Sequence, residues 1–351
     1  MNRRCVLPLL CFAIVSRASF ALDTVTRRST DKRAAGEITE VTQTEVVVNP
    51  KVGSPQTVPA NDIDRIEWDG EPAVLKLARS KSGSGQYESA IEDFNTAQAD
   101  IPVNKDLLRA DIEYGIAYAT GKLALADPDQ QTTAVELLTS FIDKHEDHYR
   151  FFNALLLLGD VHLAQNDVKA AEADFNRVSS APWPDYQMAA NVAFGRAALA
   201  QGDPAGARSA FEKVAAMTVN NAAEQSRQFE AMLGLATVLQ REKQFDQAAE
   251  TLGEIIIKSD ADDTRLQAEA YVRQGDCYAA MEGRAKDAVM AYLHLDVIPS
   301  LSVEKDFHAE ALYQLARLWP QIGQPVRADV AIGKLQSQYP NSPWTKRIAN
   351  E

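Results

Sequence analysis

Two histidines, His145 and His148, are the only closely spaced pair of metal-ligand nitrogens in the sequence. Glu146 and Asp147 stand between them, and zinc accepts both imidazole and carboxylate ligands. A zinc site needs at least three protein ligands, and no third residue of the right type stands at a suitable spacing. We interpret this stretch as a solvated loop, with a metal site as the alternative, and predict neither a metal nor a cofactor.

Motifs of common catalytic sites are missing from the sequence. Gly83-Ser84-Gly85 stands between two segments of helical periodicity rather than after a strand, so it is not a phosphate-binding loop. The sequence has no serine nucleophile elbow, no Cys/His pair and no H-E-x-x-H motif. Cys277 lies in an apolar helical stretch, where a buried and unreactive thiol is the expected state. We predict that the protein is not an enzyme.

The net charge excludes one class of partner. It is −13 for the whole sequence, and the three Arg of residues 1–21 leave −16 for the remainder. A chain this acidic repels a phosphate backbone, so we predict no binding to nucleic acid. One basic cluster stands out after residue 21, namely Arg27, Arg28, Lys32 and Arg33. We interpret it as a solvated, frayed N-terminus, with attraction to an anionic envelope surface as the alternative.

Residues 1–21 have the pattern of a secretory signal peptide. Arg3 and Arg4 precede the apolar stretch Cys5–Val15, which is shorter than the about 20 residues that a membrane span needs. Ser19-Phe20-Ala21 provides small residues at the cleavage positions, so we expect cleavage before Leu22, with a retained anchor as the alternative. The mature protein is then expected in the periplasm or cell envelope, without a membrane span.

Residues 22–70 predict a small β module. Short β-branched segments such as Gly36–Val41 and Glu45–Val48 alternate with turn residues, which favours three to five strands and one helical turn at Asn61–Asp64. This cadence resembles SH3-like or Sm-like barrels. A module this short buries only a small hydrophobic core. We therefore expect it to pack against the first helices through Trp68.

From residue 71 onward the pattern is helical and repeats. The stretch Phe152–Tyr186 holds two amphipathic segments joined by a polar turn, with Gly159 in the first and Ala171 and Phe175 in the second. Small residues let two helices approach closely, so this is the pattern of a helical hairpin. One hairpin cannot bury its apolar face alone, and it needs copies beside it.

Seven such pairs follow one another. The second segment of each has an alanine, followed four residues later by a large apolar residue. The alanines are Ala90, Ala134, Ala171, Ala207, Ala248, Ala288 and Ala328. The large residues are Phe94, Leu138, Phe175, Phe211, Leu252, Tyr292 and Ile332. The first segment carries a small residue at the matching place: Ala78, Gly115, Gly159, Gly195, Ala236, Gly275 and Ala316.

This repeated spacing of small and large residues resembles the tetratricopeptide repeat. The resemblance is clearest in Gly159 followed by His162, Gly275 followed by Tyr278, and Pro340 at the end. The alanines are 36 to 44 residues apart, whereas the family has about 34 residues per repeat. The resemblance covers residues 71–351 and implies a mainly α protein, an α-α superhelix of about seven degenerate hairpins preceded by the β module. Pro340 and the residues around it resemble repeat endings in exported bacterial members.

The resemblance also implies a partner groove lined by the first helices of the pairs. The matching positions are Asn153, Leu156, Asp160, Ala189, Val192, Arg196, Glu269, Val272, Asp276, Glu310, Tyr313 and Arg317. A groove with an apolar middle and charged ends suits an extended peptide or a partner helix. The alternative is that the groove packs against the protein's own terminal segment.

Two functions follow. The first is a non-catalytic, exported scaffold that binds a protein or peptide in the groove. The second is a cell-envelope assembly or cell-wall-associated factor that binds an anionic polymer or glycan through the N-terminal module.

Overall fold

The computed structural model describes residues 22–102 and 104–350. The predicted signal peptide lies outside these residues. Within them, a five-stranded antiparallel sheet precedes fifteen α-helices. No helix in the described ranges combines the length and apolar character that crossing a bilayer requires.

The sheet is formed by five short strands in the order β4-β3-β2-β1-β5. Their bounds are Asp23–Arg27 (β1), Ala34–Val41 (β2), Glu45–Asn49 (β3), Gln56–Pro59 (β4) and Ile63–Glu67 (β5). One short 3-10 turn, Ala60–Asp62, joins β4 to β5 where a helical turn was expected. Alternate side chains of β3 point inward, so Val46 and Val48 are buried. In β5 the buried residues Ile63 and Ile66 are three apart, because the pairing with β1 shifts register between Thr26 and Arg27.

The sheet shares its core with the first helices. Trp68, which follows β5, is buried in the same apolar cluster as Leu75 and Ala78 of the first helix and Ile112 of the third. The tryptophan therefore makes the contact expected from the sequence. A sheet this small gains much of its buried area from the helices, which explains why it lies against them.

The helices form seven antiparallel hairpins and one short terminal helix. Their bounds are Ala73–Gly83 (α1), Tyr87–Asp100 (α2), Asp106–Ala124 (α3), Gln131–Lys144 (α4), Phe151–Ala164 (α5), Val168–Ser179 (α6), Pro184–Gln201 (α7), Pro204–Ala215 (α8), Ala222–Arg241 (α9), Phe245–Lys258 (α10), Thr264–Ala279 (α11), Ala285–Val297 (α12), Lys305–Leu318 (α13), Pro325–Gln338 (α14) and Pro343–Ile348 (α15). Each predicted repeat corresponds to one hairpin.

Glycine and aromatic residues meet where the spacing predicts. A Cβ added to Gly159 would lie 2.3 Å from the ring of Phe175, so only glycine lets α5 and α6 approach this closely. Phe211 of α8 lies between Gly195 of α7 and Gly234 of α9, where an added Cβ would come within 2.5 Å of its ring. Each ring thus fills the space that the missing side chains leave.

The first helices of the hairpins lie on the inner side of the curve. Successive first helices contact one another directly, as in α3 with α5, α7 with α9 and α11 with α13. The second helices make no contacts of similar extent with one another within the described chain. The array therefore curls toward the first helices, which line its concave side.

Candidate functional site

A cleft of about 770 Å³ lies between the sheet and the first three hairpins. Its walls come from the end of β1, from β5, from α1 and α3, and from the start of α5. This volume is within the range of about 300–1,000 Å³ that ligand sites occupy. The cleft is at the N-terminal end of the concave side.

One face of α3 forms the floor. Asp111, Tyr114, Gly115 and Tyr118 line the cleft, and their spacing places them on one side of the helix. Gly115 is there because the ring of Phe94 packs against its backbone, 2.6 Å from where a Cβ would be. Burial raises the pKa of Tyr114 above its usual range, which is already well above neutral pH, so its hydroxyl is protonated.

Asp111 ties the walls of the cleft together. Its buried carboxylate accepts hydrogen bonds from Trp68 Nε1 at 3.2 Å, Arg79 Nη2 at 2.9 Å and the Tyr149 hydroxyl at 2.5 Å. Burial alone would raise the pKa of Asp111, but Arg79 and the other partners outweigh it and lower the pKa. The donors come from the end of β5, from α1 and from the loop before α5, so this carboxylate fixes their relative positions.

Arg150 holds the sheet against α5. Its guanidinium donates to the backbone carbonyls of Ile63, at 3.4 Å, and Asp64. The same group lies 4.9 Å from the ring centre of Tyr149 and 5.6 Å from that of Tyr114, within cation–π range. Arg150 therefore already has partners and serves as a structural wall of the cleft.

Two further cations in the cleft have no acidic partner. Arg28 and Lys76 are exposed and line the cleft, and neither forms an ion pair within the described residues. Arg65, by contrast, lies between Asp64 at 3.2 Å and Glu67 at 3.3 Å. The lining has five cationic and three acidic side chains, a local excess of positive charge on a strongly acidic protein.

Asn153 adds an uncommitted amide. It lines the cleft from α5, and its buried Oδ1 has no hydrogen-bond partner in the described chain. A side-chain amide offers both a donor and an acceptor, the pair that a peptide group also presents. Asn153 is the one member of the predicted groove set that lines this cleft.

The other predicted groove residues lie elsewhere. Asp160 of α5 and Arg196 of α7 form an ion pair of 2.6 Å, and Leu156 is half-buried on the same helix as Asp160. In α11, Glu269 is half-exposed and Asp276 accepts from Arg273 at 2.6 Å.

Five of the predicted groove residues are not accessible. Their burial contradicts their assignment to an open groove; they are Ala189, Val192, Val272, Glu310 and Tyr313. The ring of Tyr313 packs against Trp344 of α15 at 5.0 Å, and the guanidinium of Arg317 lies 5.5 Å from the same ring. The helix α15 therefore packs on the last hairpin through α13 and α14 and covers Tyr313 there.

The histidine stretch is a loop that is solvated only in part, since Glu146 and Asp147 are exposed whereas His148 is buried. His148 is 4% exposed, with its ring against Phe141 and Tyr149, and its Nε2 has no partner among the described residues. His145 Nε2 pairs with Glu113 Oε2 at 2.9 Å. No group of three or more metal-ligating side chains occurs in residues 22–102 and 104–350.

The basic cluster lies partly in the sheet and partly in the connection between β1 and β2. Arg27 lies in β1 and forms an ion pair with Asp62 at 2.7 Å. Arg28, Lys32 and Arg33 are exposed in the connection, and Arg28 lines the cleft. The expected fraying is wrong for Arg27, because β1 pairs with both β2 and β5, whereas the expected exposure holds for the other three residues.

Sequence reasoning missed Tyr114, Asp111 and Arg150 as parts of a site. The sequence did contain one signal for this site. Asp111, Tyr114 and Tyr118 are spaced as one face of a helix, and they belong to the second hairpin, for which no groove residues were predicted. Nothing in the sequence pairs them with Arg150 or with the sheet.

Comparison with known proteins agrees with this architecture. Sequence models described as the tetratricopeptide repeat match residues 130–186, 198–270 and 310–342. No curated protein sequence matches the chain.

Three similar solved structures can be described. RapI in its apo form is 12% identical over 79% of this chain and 78% of its own, with a TM-score of 0.54. A signal-transduction ATPase with a tetratricopeptide repeat sensor from Pyrococcus horikoshii is 16% identical over 77% of this chain and 42% of its own, with a TM-score of 0.51. A tetratricopeptide repeat protein from Parabacteroides merdae is 16% identical over 78% of this chain and 95% of its own, with a TM-score of 0.48.

At these identities the likeness concerns the fold alone. The three matched segments are tetratricopeptide repeats, and the hairpin geometry gives the helical part of the chain a superhelix of that type.

Proposed function

We propose that this protein is a non-catalytic, exported scaffold that binds a protein or peptide segment on the concave side of its superhelix. The observation that carries the proposal is the cleft beside the sheet, with its uncommitted charged and amide groups. Repeat proteins present extended concave surfaces of this kind to their partners. The repeat fold therefore supports a protein-binding role. The signal-peptide pattern of residues 1–21 supports export to the periplasm or cell envelope.

The sheet has a defined place in this proposal. We infer that residues 22–70 form an SH3-like barrel that closes the N-terminal end of the groove. The strand order, with β5 beside β1 and a 3-10 turn before β5, supports this inference. The sheet is held by Arg150 and by the Asn61 amide, which donates to Asp185 of α7 at 3.1 Å. It therefore orients one end of the bound segment.

Co-purification from envelope fractions tests the scaffold role. The mature chain, residues 22–351, serves as bait beside Arg196→Glu, which reverses a charge on the concave side, and Lys169→Glu, which reverses an exposed charge on α6. We expect one partner with the wild type and Lys169→Glu that is reduced with Arg196→Glu. A partner captured equally by all three baits would place binding outside the concave side, and no partner would contradict the proposal.

A second candidate function rests on the exposed cations of the sheet. Arg28, Lys32 and Arg33 lie close together in sequence between β1 and β2, and they favour an anionic polymer or glycan of the cell envelope as the ligand. Sedimentation with cell-wall material tests it. Co-sedimentation that is lost in a Lys32→Glu, Arg33→Glu variant would support this function, and unchanged sedimentation would count against it.

A further inference from the structure

We propose that the cleft between the sheet and the first three hairpins binds a short acidic peptide segment, with Arg28 and Lys76 pairing its carboxylates and Asn153 holding its backbone. The inference rests on the proposed scaffold function and names the chemistry of its partner. It places this segment at the N-terminal end of the concave side, and the rest of the partner then extends along the first helices toward Arg196 of α7.

Charge is the first argument. Most cations around the cleft already have partners: Arg79 binds Asp111 and Glu71, and Arg65 binds Asp64 and Glu67. Arg28 and Lys76 are exposed and form no ion pair within the described residues. Positive groups with no acidic partner attract carboxylates, and they discriminate against cationic ligands.

Different elements of the cleft carry these two cations. Arg28 follows β1, whereas Lys76 is in the first turn of α1, and both line the cleft whose floor is on α3. A segment with two carboxylates can therefore engage a cation from the sheet and a cation from the first helix.

Backbone recognition is the second argument. Asn153 Oδ1 is buried without a partner, and leaving such an acceptor without a hydrogen bond costs about 1–3 kcal/mol. A peptide group in the cleft would satisfy both the acceptor and the donor of this amide. The hydroxyls of Tyr114 and Tyr118 line the same floor and add neutral donors.

The packing of the aromatic residues disfavours a sugar. The Tyr114 ring is surrounded by Phe141 at 5.4 Å, Tyr118 at 5.8 Å and the Arg150 guanidinium at 5.6 Å. The faces of this ring are thus in use within the protein, so a sugar has no open face of Tyr114 on which to stack. A long polyanion is also disfavoured, because residues 22–351 outside the cleft carry a large negative charge that repels it.

Fluorescence anisotropy with two labelled peptides tests the inference. One peptide alternates Glu and Leu, and the other has Gln at every Glu position. We expect the wild type to bind the Glu peptide about tenfold more tightly than the Gln peptide, and added salt to remove the difference. Equal affinity for the two peptides would overturn the inference.

A double substitution locates the site. Arg28→Gln with Lys76→Gln removes the two uncommitted cations, and Lys169→Gln with Lys286→Gln removes two exposed cations from the second helices α6 and α12. We expect the first variant to lose about tenfold in affinity for the Glu peptide and the second to keep it. Equal losses in the two variants would mean that only the net charge of the protein matters, and this would overturn the proposal. Binding of an anionic oligosaccharide in place of either peptide would favour the glycan alternative and would also overturn it.

The same variants separate this inference from the scaffold function. An envelope partner lost with Arg196→Glu but kept with the Arg28, Lys76 variant would leave the scaffold role standing and refute the cleft as the site. Absence of any partner in the co-purification would contradict the scaffold role, whereas the peptide titration would still report on the cleft.

Discussion

Acid should weaken this protein well above the pH at which its carboxylates protonate, because of His148. Its imidazole is 4% exposed, and burial lowers its pKa from 6.5 to about 3, although the nearby Asp111 carboxylate favours the charged form. Arg150 and His145, on the same loop, oppose protonation further. The folded protein therefore keeps His148 neutral over the mildly acidic range.

The magnitude follows from proton linkage. An unfolded chain protonates this histidine below pH 6.5, whereas the folded chain does not until about pH 3. The stabilisation is thus fully present above pH 6.5 and is lost as the pH falls toward 3. At pH 5 the loss from this one group is about 2 kcal/mol relative to pH 8. Asp111 does not contribute in this window, because its pKa is already lowered.

Chemical denaturation at pH 8 and pH 5 measures the effect. We expect the wild type to lose about 2 kcal/mol more than His148→Asn between these conditions, since Asn does not titrate. NMR gives a direct readout, because the His148 ring signal, assigned by its absence in the variant, should not shift between pH 8 and pH 5. An equal pH dependence in both proteins, or a ring signal that titrates near pH 6.5, would refute the reasoning.

Three further predictions concern packing and reactivity. Gly159→Ala should cost about 1–3 kcal/mol in denaturation experiments, because the new methyl overlaps the Phe175 ring, whereas Gly333→Ala, with nothing near its added Cβ, should be neutral or stabilising; equal effects would contradict this packing. Asp111→Ala should cost about 3–5 kcal/mol, since it removes one of the two acidic partners of Arg79 and leaves the buried donors of Trp68 and Tyr149 without an acceptor, and proteolysis should then cut first near the junction of sheet and helices; unchanged resistance would argue against its linking role. Burial raises the pKa of Cys277 to about 11, so a thiol reagent at pH 8 should label it slowly in the native protein and quickly in urea, and fast native labelling would contradict its burial.

The repeat architecture was readable from the sequence because its determinants are local. Gly159 and Phe175 belong to one hairpin, and Ala207 and Phe211 belong to one helix, so their spacing predicts both the helices and their contacts. The strands were predicted for the same reason, since alternation of β-branched residues is a property of short segments. Seven repeats in phase reinforced the signal that each degenerate copy carries weakly.

The site could not be read in the same way. Asp111 looks like an ordinary solvent-facing acid in its helix, yet it is buried because Trp68, 43 residues away, and Tyr149, 38 residues away, converge on it. His148 looked solvated for the same reason. In both cases the burial of a polar side chain depends on partners that are distant in sequence.

The sequence by itself determined the helical repeats, the short strands and the small-to-large contacts within hairpins, because neighbouring residues decide helix periodicity and close approach. Only the tertiary structure decided which residues are accessible. It placed Arg28 in a cleft by pairing β1 with β5, and it buried Tyr313 under Trp344 of the terminal helix. These outcomes depend on how the sheet and the terminal helix dock, which is set by contacts between segments far apart in the chain.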